Sequence, residues 1–134
     1  MILSSLGKYK DFGLLVLRAG MGAMFVLHGW PKIIGGPAMW HGLGGAMAHL
    51  GMTFLPAVWG FLAALSECGG GICLILGFAL RPAAFFMACT MAVAATHHIM
   101  GGDGILEASH AIEAGVVFLS LVILGAGRYS VDGK

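Results

Sequence analysis

The chain has 134 residues, of which 59% are hydrophobic and 10% charged, and its mean hydropathy is +0.94. A soluble domain usually carries about 25% charged residues, and a chain this short hides only part of its apolar surface in a core. We therefore expect the lipid bilayer to surround most of it. The net charge of +1 leaves no basic footprint for nucleic acid, so no nucleic-acid partner is expected.

Four apolar stretches account for most of the chain. They cover residues 12–34, 54–80, 82–100 and 108–126, and each is long enough to cross about 30 Å of hydrocarbon as a helix. Pro56 and Pro82 stand near the starts of the second and third stretches, where a helix tolerates a missing N–H. The sequence therefore predicts an all-α transmembrane four-helix bundle that forms a single membrane domain over residues 1–134. Because the first stretch contains Arg18 and lacks an A-x-A exit, we expect no cleaved signal peptide there.

The segment between the first two stretches is also apolar. It contains MWHGLGGAMAHLGM, Met39 to Met52, with several glycines and two histidines, His41 and His49. This segment is too short to cross a bilayer as a helix. We expect it to form an interfacial or re-entrant segment that covers the bundle between the first and second membrane helices.

Basic residues are distributed unevenly between the loops. Those that precede the first stretch, lie in the turn between the second and third, or follow the fourth are Lys8, Lys10, Arg81, Arg128 and Lys134. Because Lys and Arg are enriched in short cytoplasmic loops, we expect both termini to be cytoplasmic. Lys32 departs from this distribution, since the same topology places it near the outer surface.

Titratable side chains within the apolar stretches fall at one depth. Those that lie about 20–24 Å from the cytoplasmic edge, at a rise of about 1.5 Å per residue, are His28, Glu67, His97, His98, His110 and Glu113. Arg18 lies nearer the inner surface, at about 8 Å. The four predicted helices thus deliver His or Glu side chains to one layer in the outer half of the membrane.

Ionisable side chains inside a membrane are costly, and they usually pair with one another or serve a function. The candidate catalytic residues, one from each helix, are His28, Glu67, His98 and Glu113. Arg18 and Lys32 are candidates for binding a cofactor or for neutralising carboxylates within the bundle. A structural role is the alternative, because an ion pair also fixes helix register and Arg18 is close enough to the inner surface to extend its charge into water.

Several of these residues belong to a series of short motifs along the chain. Its parts are R…HGxxK in the first stretch (Arg18, His28, Gly29, Lys32), ECGGGICLILGFALRPAA (Glu67 to Ala84), a late His98, Glu113, and the ending GAGRYSVD (Gly125 to Asp132). Over nearly the whole chain, this order and spacing resemble the DoxX family of small four-helix bacterial membrane proteins. Two features depart from the family pattern. Arg81-Pro82 stands where Thr-Arg is more usual, and there are additional histidines: His41, His49, His97 and His110.

The resemblance implies a multi-pass protein of the bacterial inner (cytoplasmic) membrane. The family takes its name from a subunit associated with thiosulfate:quinone oxidoreductase and terminal oxidase activity. The resemblance therefore implies a component of a quinone-linked redox system, with a quinone or a redox protein as its partner. A carboxylate and a histidine near the outer leaflet would hydrogen-bond a quinone head group and exchange its protons.

Two other functions stay open. Histidine and carboxylate ligands suit Zn, Fe or Mn, and the candidate ligands of such a transition metal are His28, Glu67, His98, His110 and Glu113. The other alternative is a non-catalytic assembly partner, in which the polar layer only specifies helix packing. The sequence is also compatible with a homo-oligomer, and it does not fix the number of copies.

Overall fold

The computed structural model describes residues 2–133, which form helices and connecting turns without a strand. A short 3-10 helix, Ser4–Tyr9, leads into α1, Lys10–Ile34, and is followed by α2, Gly36–Gly44, and a second 3-10 helix, Gly45–Leu50. The remaining helices are α3, Pro56–Leu76, α4, Leu80–Met100, and α5, Ile105–Leu124. Helices α1, α3, α4 and α5 are long and apolar enough to cross a membrane. The predicted all-α bundle of four membrane helices is thus confirmed.

Turn residues end the membrane helices at positions different from those that the apolar stretches suggest. The second stretch was expected to run to residue 80, but α3 ends at Leu76 because Gly77 takes a left-handed φ of +64°. Helix α4 then begins at Leu80, two residues before Pro82, whose missing N–H costs nothing in a first turn. Helix α5 ends at Leu124 because Gly125 has a φ of +79°. It therefore begins and ends earlier than the predicted span 108–126.

Glycines allow α1 and α3 to pack with their backbones almost in contact. A Cβ atom added to Gly22 would lie 2.5 Å from the carbonyl oxygen of Gly71, and one added to Gly29 would lie 2.5 Å from the amide nitrogen of Cys68. Small residues at helix contacts permit this close approach inside a membrane, where packing replaces the hydrophobic effect as the force between helices. The contact fixes the register between the second half of α1 and the middle of α3. We call the end of the bundle that carries the start of α1 and the C-terminal tail the inner end, and the opposite end the outer end.

The apolar segment between α1 and α3 was predicted to cover the bundle as an interfacial or re-entrant segment, and it forms a cap made of α2 and the second 3-10 helix. Helix α2 packs on the start of α3 so closely that a Cβ atom on Gly44 would overlap the carbonyl of Pro56, and one on Gly60 would overlap that of Trp40. The indole N–H of Trp40 donates a hydrogen bond of 2.9 Å to the carbonyl of Lys32, which ties the cap to the last turns of α1. The second 3-10 helix contacts α4.

Between α1 and α5 the bundle has a seam, where the two helix backbones do not touch. Among the described residues, no Cα atom of α1 lies within 8 Å of a Cα atom of α5, whereas α1 packs on α3 and α4 packs on both α3 and α5. Large side chains fill the seam. The rings of Phe25 and Phe118 meet edge to face at 4.8 Å and are almost fully buried, and those of His28 and His110 lie 5.5 Å apart nearer the outer end.

The C-terminal tail closes the inner end of the bundle by pairing with the turn between α3 and α4. The amides of Val131 and Asp132 donate to the carbonyls of Leu76 and Gly77 at 3.1 and 2.9 Å. The Asp132 carboxylate accepts hydrogen bonds of 2.9 Å from the first amides of α4, those of Ala79 and Leu80. These bonds satisfy helix-terminal amides that would otherwise lack partners. The tail is therefore an integral part of the fold.

Candidate functional site

An ion pair links α1 and α3 in the outer half of the bundle. The Lys32 Nζ lies 2.7 Å from Glu67 Oε2, and the Glu67 side chain is only 7% exposed against 31% for Lys32. The close contact of Gly29 with Cys68 sets this pairing, because it places the residues that follow on α1 beside Glu67. The predicted neutralisation of a bundle carboxylate by Lys32 is therefore present. It leaves a nearly buried carboxylate with a cation at hydrogen-bonding distance.

A cavity of about 200 Å³ lies next to this ion pair, between the four membrane helices. Its apolar wall includes Phe25 and Met91. Its polar wall consists of His28, Lys32, Glu67, His98, Glu107 and His110. Each of the four membrane helices thus contributes at least one titratable side chain to the same cavity, although not always the one that the sequence suggested.

The two histidines of the seam form one side of the cavity. Both His28 and His110 are exposed, and each packs against Phe25, with ring centroids at 5.8 and 6.1 Å. The His110 ring is stacked on the Phe25 ring at an interplanar angle of 11°. Because the neighbouring α1 and α5 backbones are far apart, these rings are what separates the cavity from the surroundings of the bundle at this point.

His98 lies between the cavity and the loop that joins α4 to α5. Its Nδ1 lies 2.8 Å from Asp103 Oδ2 in the loop between α4 and α5, and both side chains are partly exposed. The neighbouring His97 faces the cap, where its ring lies 5.2 Å from that of His49. An aspartate that accepts a hydrogen bond from one imidazole nitrogen fixes the ring and leaves the other nitrogen free for a ligand or a proton.

A wide apolar groove runs along α3 and α4 beneath the cap. Its volume is about 870 Å³, and it is lined mostly by apolar side chains of α3, α4 and the capping segment. At its polar end the groove shares Lys32, Glu67 and His98 with the small cavity. The indole of Trp59 also lines the groove, and its N–H has no hydrogen-bond partner within residues 2–133. The site is therefore a polar cavity that continues into a long apolar groove.

Sequence comparison identifies the protein family. The sequence model of the DoxX family matches residues 13–99. The chain belongs to the DoxX family. It is 32% identical over 130 residues to the inner membrane protein YqjF of Escherichia coli, with 93% of each chain covered. It is 31% identical to the inner membrane protein YphA of the same organism, over 95% of this chain and 97% of the relative.

A third relative, an uncharacterized protein of Haemophilus influenzae, is 32% identical over 98% of this chain and 97% of its own. No solved structure matches the chain. The chain is thus an integral membrane protein of the DoxX family, and the resemblance inferred from its motifs is confirmed. The DoxX match covers Arg18, Lys32, Glu67 and His98, whereas α5 and the tail lie outside it.

Glu113 lies outside the cavity of this DoxX protein, contrary to the expectation that it would face the bundle. Its side chain is exposed, and it is absent from the residues that line the cavity. The buried face of α5 is formed by Ala111, Ala114 and Phe118. Since each residue turns the helix by about 100°, Glu113 is about 160° from Ala111 around the axis. Its spacing from His110 still leaves about 60° between them, enough to direct Glu113 away from the seam.

Arg18 has a structural role, which was the alternative to neutralising a carboxylate or binding a cofactor. Its guanidinium is fully buried rather than extended into water, and it binds backbone oxygens. It donates to the carbonyls of Leu74 at 2.9 Å and Tyr129 at 2.6 Å. The first of these lies in the last turn of α3 and also accepts a hydrogen bond from the amide of Gly77, and the second lies in the C-terminal tail. Arg18 thus stabilises the closed inner end of the DoxX fold, far from the cavity.

Metal binding finds little geometric support in this DoxX protein. Nowhere in residues 2–133 do three or more His, Cys, Asp or Glu side chains converge closely enough to hold a metal ion. Among the proposed ligands, His28, Glu67, His98 and His110 do line one cavity, but Glu113 does not. Lys32 also occupies one side of the Glu67 carboxylate, where its positive charge opposes a bound cation.

Sequence reasoning missed two members of this DoxX site. Glu107 lines the cavity one turn before His110, and Asp103 binds His98. The three-residue spacing between Glu107 and His110 on one helix was a usable signal. Asp103 gave no periodic signal, because it stands in a glycine-rich turn whose conformation decides where its side chain points.

Proposed function

We propose that this protein binds a quinone or quinol as a component of a membrane redox system. The head group would lie at Lys32, Glu67 and His98, and the isoprenoid tail would lie in the apolar groove. The observation that carries the proposal is the continuity of cavity and groove, which share these three residues. A long apolar channel that ends in a few convergent polar groups suits an amphipathic ligand with a small polar head.

The polar groups suit the chemistry of a quinone head group. The Lys32 ammonium donates hydrogen bonds, so it would bind a quinone carbonyl and favour negative charge on that oxygen as electrons arrive. The Glu67 carboxylate accepts hydrogen bonds, so it would bind a quinol hydroxyl and take its proton. His98, held by Asp103 at the outer surface, would pass that proton to water. A redox partner of the membrane would exchange the electrons.

Binding can be measured without knowing that partner. Trp59 lies in the groove, and its fluorescence should be quenched when decylubiquinone is added to the purified protein in mild detergent. We expect Glu67→Gln and His98→Ala each to weaken binding about tenfold, because a hydrogen bond to a charged group contributes about 1.5–3 kcal/mol. His41→Ala is the matched control, since His41 is exposed on α2 and does not line the groove.

Two further measurements make this experiment decisive. Trp59→Phe should remove most of the saturable quenching, which separates groove binding from partition of decylubiquinone into the detergent. Thermal denaturation of each variant should show whether the fold is retained. Saturable quenching that is equal in the wild type, Glu67→Gln and His98→Ala, with all three folded, would contradict the proposal. Absence of any saturable quenching in the wild type would also contradict it.

A further inference from the structure

Glu113 presents a carboxylate to the bilayer, and within residues 2–133 it forms no ion pair. It lies eight residues into α5, about 12 Å from the outer end of that helix. Its side chain is exposed and too short to reach the aqueous interface from that depth. An acidic side chain in contact with lipid is expensive, and such residues nearly always face protein or water and find a partner. Cover by another protein segment would remove this cost.

The same surface carries a complementary group. His110 stands one turn before Glu113, is exposed, and lies about 60° to one side of it around the helix. An imidazole N–H donates a hydrogen bond to a carboxylate, and the attraction between them is stronger when both imidazole nitrogens are protonated. A patch that holds both an acid and its partner is self-complementary, which is the requirement for the interface of a two-fold dimer.

We infer that two copies of this protein associate in the membrane through α5, with Glu113 of each copy hydrogen-bonded to His110 of the other. Copies with the same orientation are related by a two-fold axis along the membrane normal, so equivalent residues lie at equal depth. If the side of α5 midway between His110 and Glu113 faces that axis, each histidine lies opposite the glutamate of the second copy. The two positions differ in depth by about 4.5 Å, which their side chains span.

Apolar residues extend this surface towards both ends of α5. Leu106 and Leu124 lie within about 10° of the line midway between His110 and Glu113, and they are 82% and 60% exposed. Ile123, by contrast, is about 110° away around the helix, although it is 79% exposed. The inference thus predicts which of two neighbouring, equally lipid-accessible positions lies at the interface. It does not depend on the proposed quinone site.

Disulfide crosslinking tests the interface without altering its polar residues. In a chain whose three cysteines are replaced by alanine, Leu124→Cys should form a covalent dimer on oxidation in native membranes, whereas Ile123→Cys should not. Equal crosslinking at the two positions would overturn the inference. Crosslinking of Leu124→Cys to a different protein, with no covalent homodimer, would overturn it as well.

Reciprocal substitution tests the contact itself. The dimer fraction is measured by single-molecule photobleaching in vesicles of phosphatidylethanolamine and phosphatidylglycerol. Glu113→Leu should raise the dissociation constant about tenfold, the effect of losing two hydrogen bonds of usual strength between membrane helices. Exchanging the residues, with His110→Glu and Glu113→His in one chain, should restore association. A wild type that is monomeric, or a dimer unchanged by Glu113→Leu, would refute the inference, and circular dichroism shows that each variant is folded.

Discussion

Replacing Lys32 by methionine should destabilise the bundle strongly, because it strands the Glu67 carboxylate. That side chain is 7% exposed, and its Oε2 lies 2.7 Å from the Lys32 Nζ. Removing one partner of a buried pair costs about 3–5 kcal/mol. Since the Lys32 side chain is 31% exposed, solvent already screens part of the attraction. We therefore expect a loss near the lower end of that range, about 3 kcal/mol.

Equilibrium unfolding in mixed micelles measures this loss, and a double-mutant cycle assigns it to the pair. The double variant Lys32→Met, Glu67→Gln carries neither charge, so it should be more stable than Lys32→Met alone, with a coupling of about 2 kcal/mol. Lys10→Met is the matched control, since Lys10 is exposed at the other end of α1, and it should change stability by less than about 0.5 kcal/mol. A Lys32→Met variant no less stable than Lys10→Met would refute the reasoning.

Three further predictions concern helix packing, a helix cap and the membrane topology. Gly71→Ala should lower the free energy of unfolding by about 2 kcal/mol or more, because the added Cβ would lie 2.7 Å from a backbone oxygen of α1. Gly69→Ala should be neutral or stabilising, because the nearest atom to its Cβ is 3.7 Å away. Equal unfolding free energies for the two variants would contradict this. Asp132→Ala should cost about 1 kcal/mol and speed hydrogen exchange at the first amides of α4, whose cap it removes. Cysteines at Lys10 and Gly133 should react with membrane-impermeant reagents only from the cytoplasmic side, and labelling from opposite sides would contradict the topology.

The architecture was predictable because a bilayer imposes a condition that a sequence displays directly. A spanning helix needs about 20 apolar residues, and four such stretches are visible. The ends of the helices were less predictable. The apolar run continues past Leu76 through Phe78 to Leu80, and hydropathy does not register that Gly77 turns the chain in the middle of it. The left-handed Ala79 that follows gives no signal in the sequence, because it is held by Asp132, more than 50 residues away.

Estimating the depth of each residue from the helical rise predicted several residues of the site correctly, but it wrongly included Glu113. A rise of about 1.5 Å per residue gives the position along the membrane normal, and it assigned one depth to His28, Glu67, His98 and His110, which line the same cavity. Depth contains no information about direction around the helix axis. Glu113 lies at the depth of the cavity but on the opposite face of α5 from Ala111 and Phe118. The small residues of α5 identify its packed face, and giving that pattern more weight would have placed Glu113 outside.

Arg18 shows a different limit of prediction from sequence. Its position also divides the motifs that resemble the DoxX family into two groups. Its partners are backbone carbonyls, which every residue carries, so no residue identity in the sequence points to them. The guanidinium offers several donors in a rigid fork, and here it joins the last turn of α3 to the tail that also caps α4. The arginine of the first stretch and the GAGRYSVD ending therefore belong together, and they close the inner end with hydrogen bonds between charged side chains and backbone. The histidine, lysine and glutamate of the same motif lie at the outer end, where they surround a cavity. The residues of this motif thus serve two regions of the molecule. Arg18 joins backbone segments at the inner end, whereas His28, Lys32 and Glu67 line a cavity that has room for a ligand.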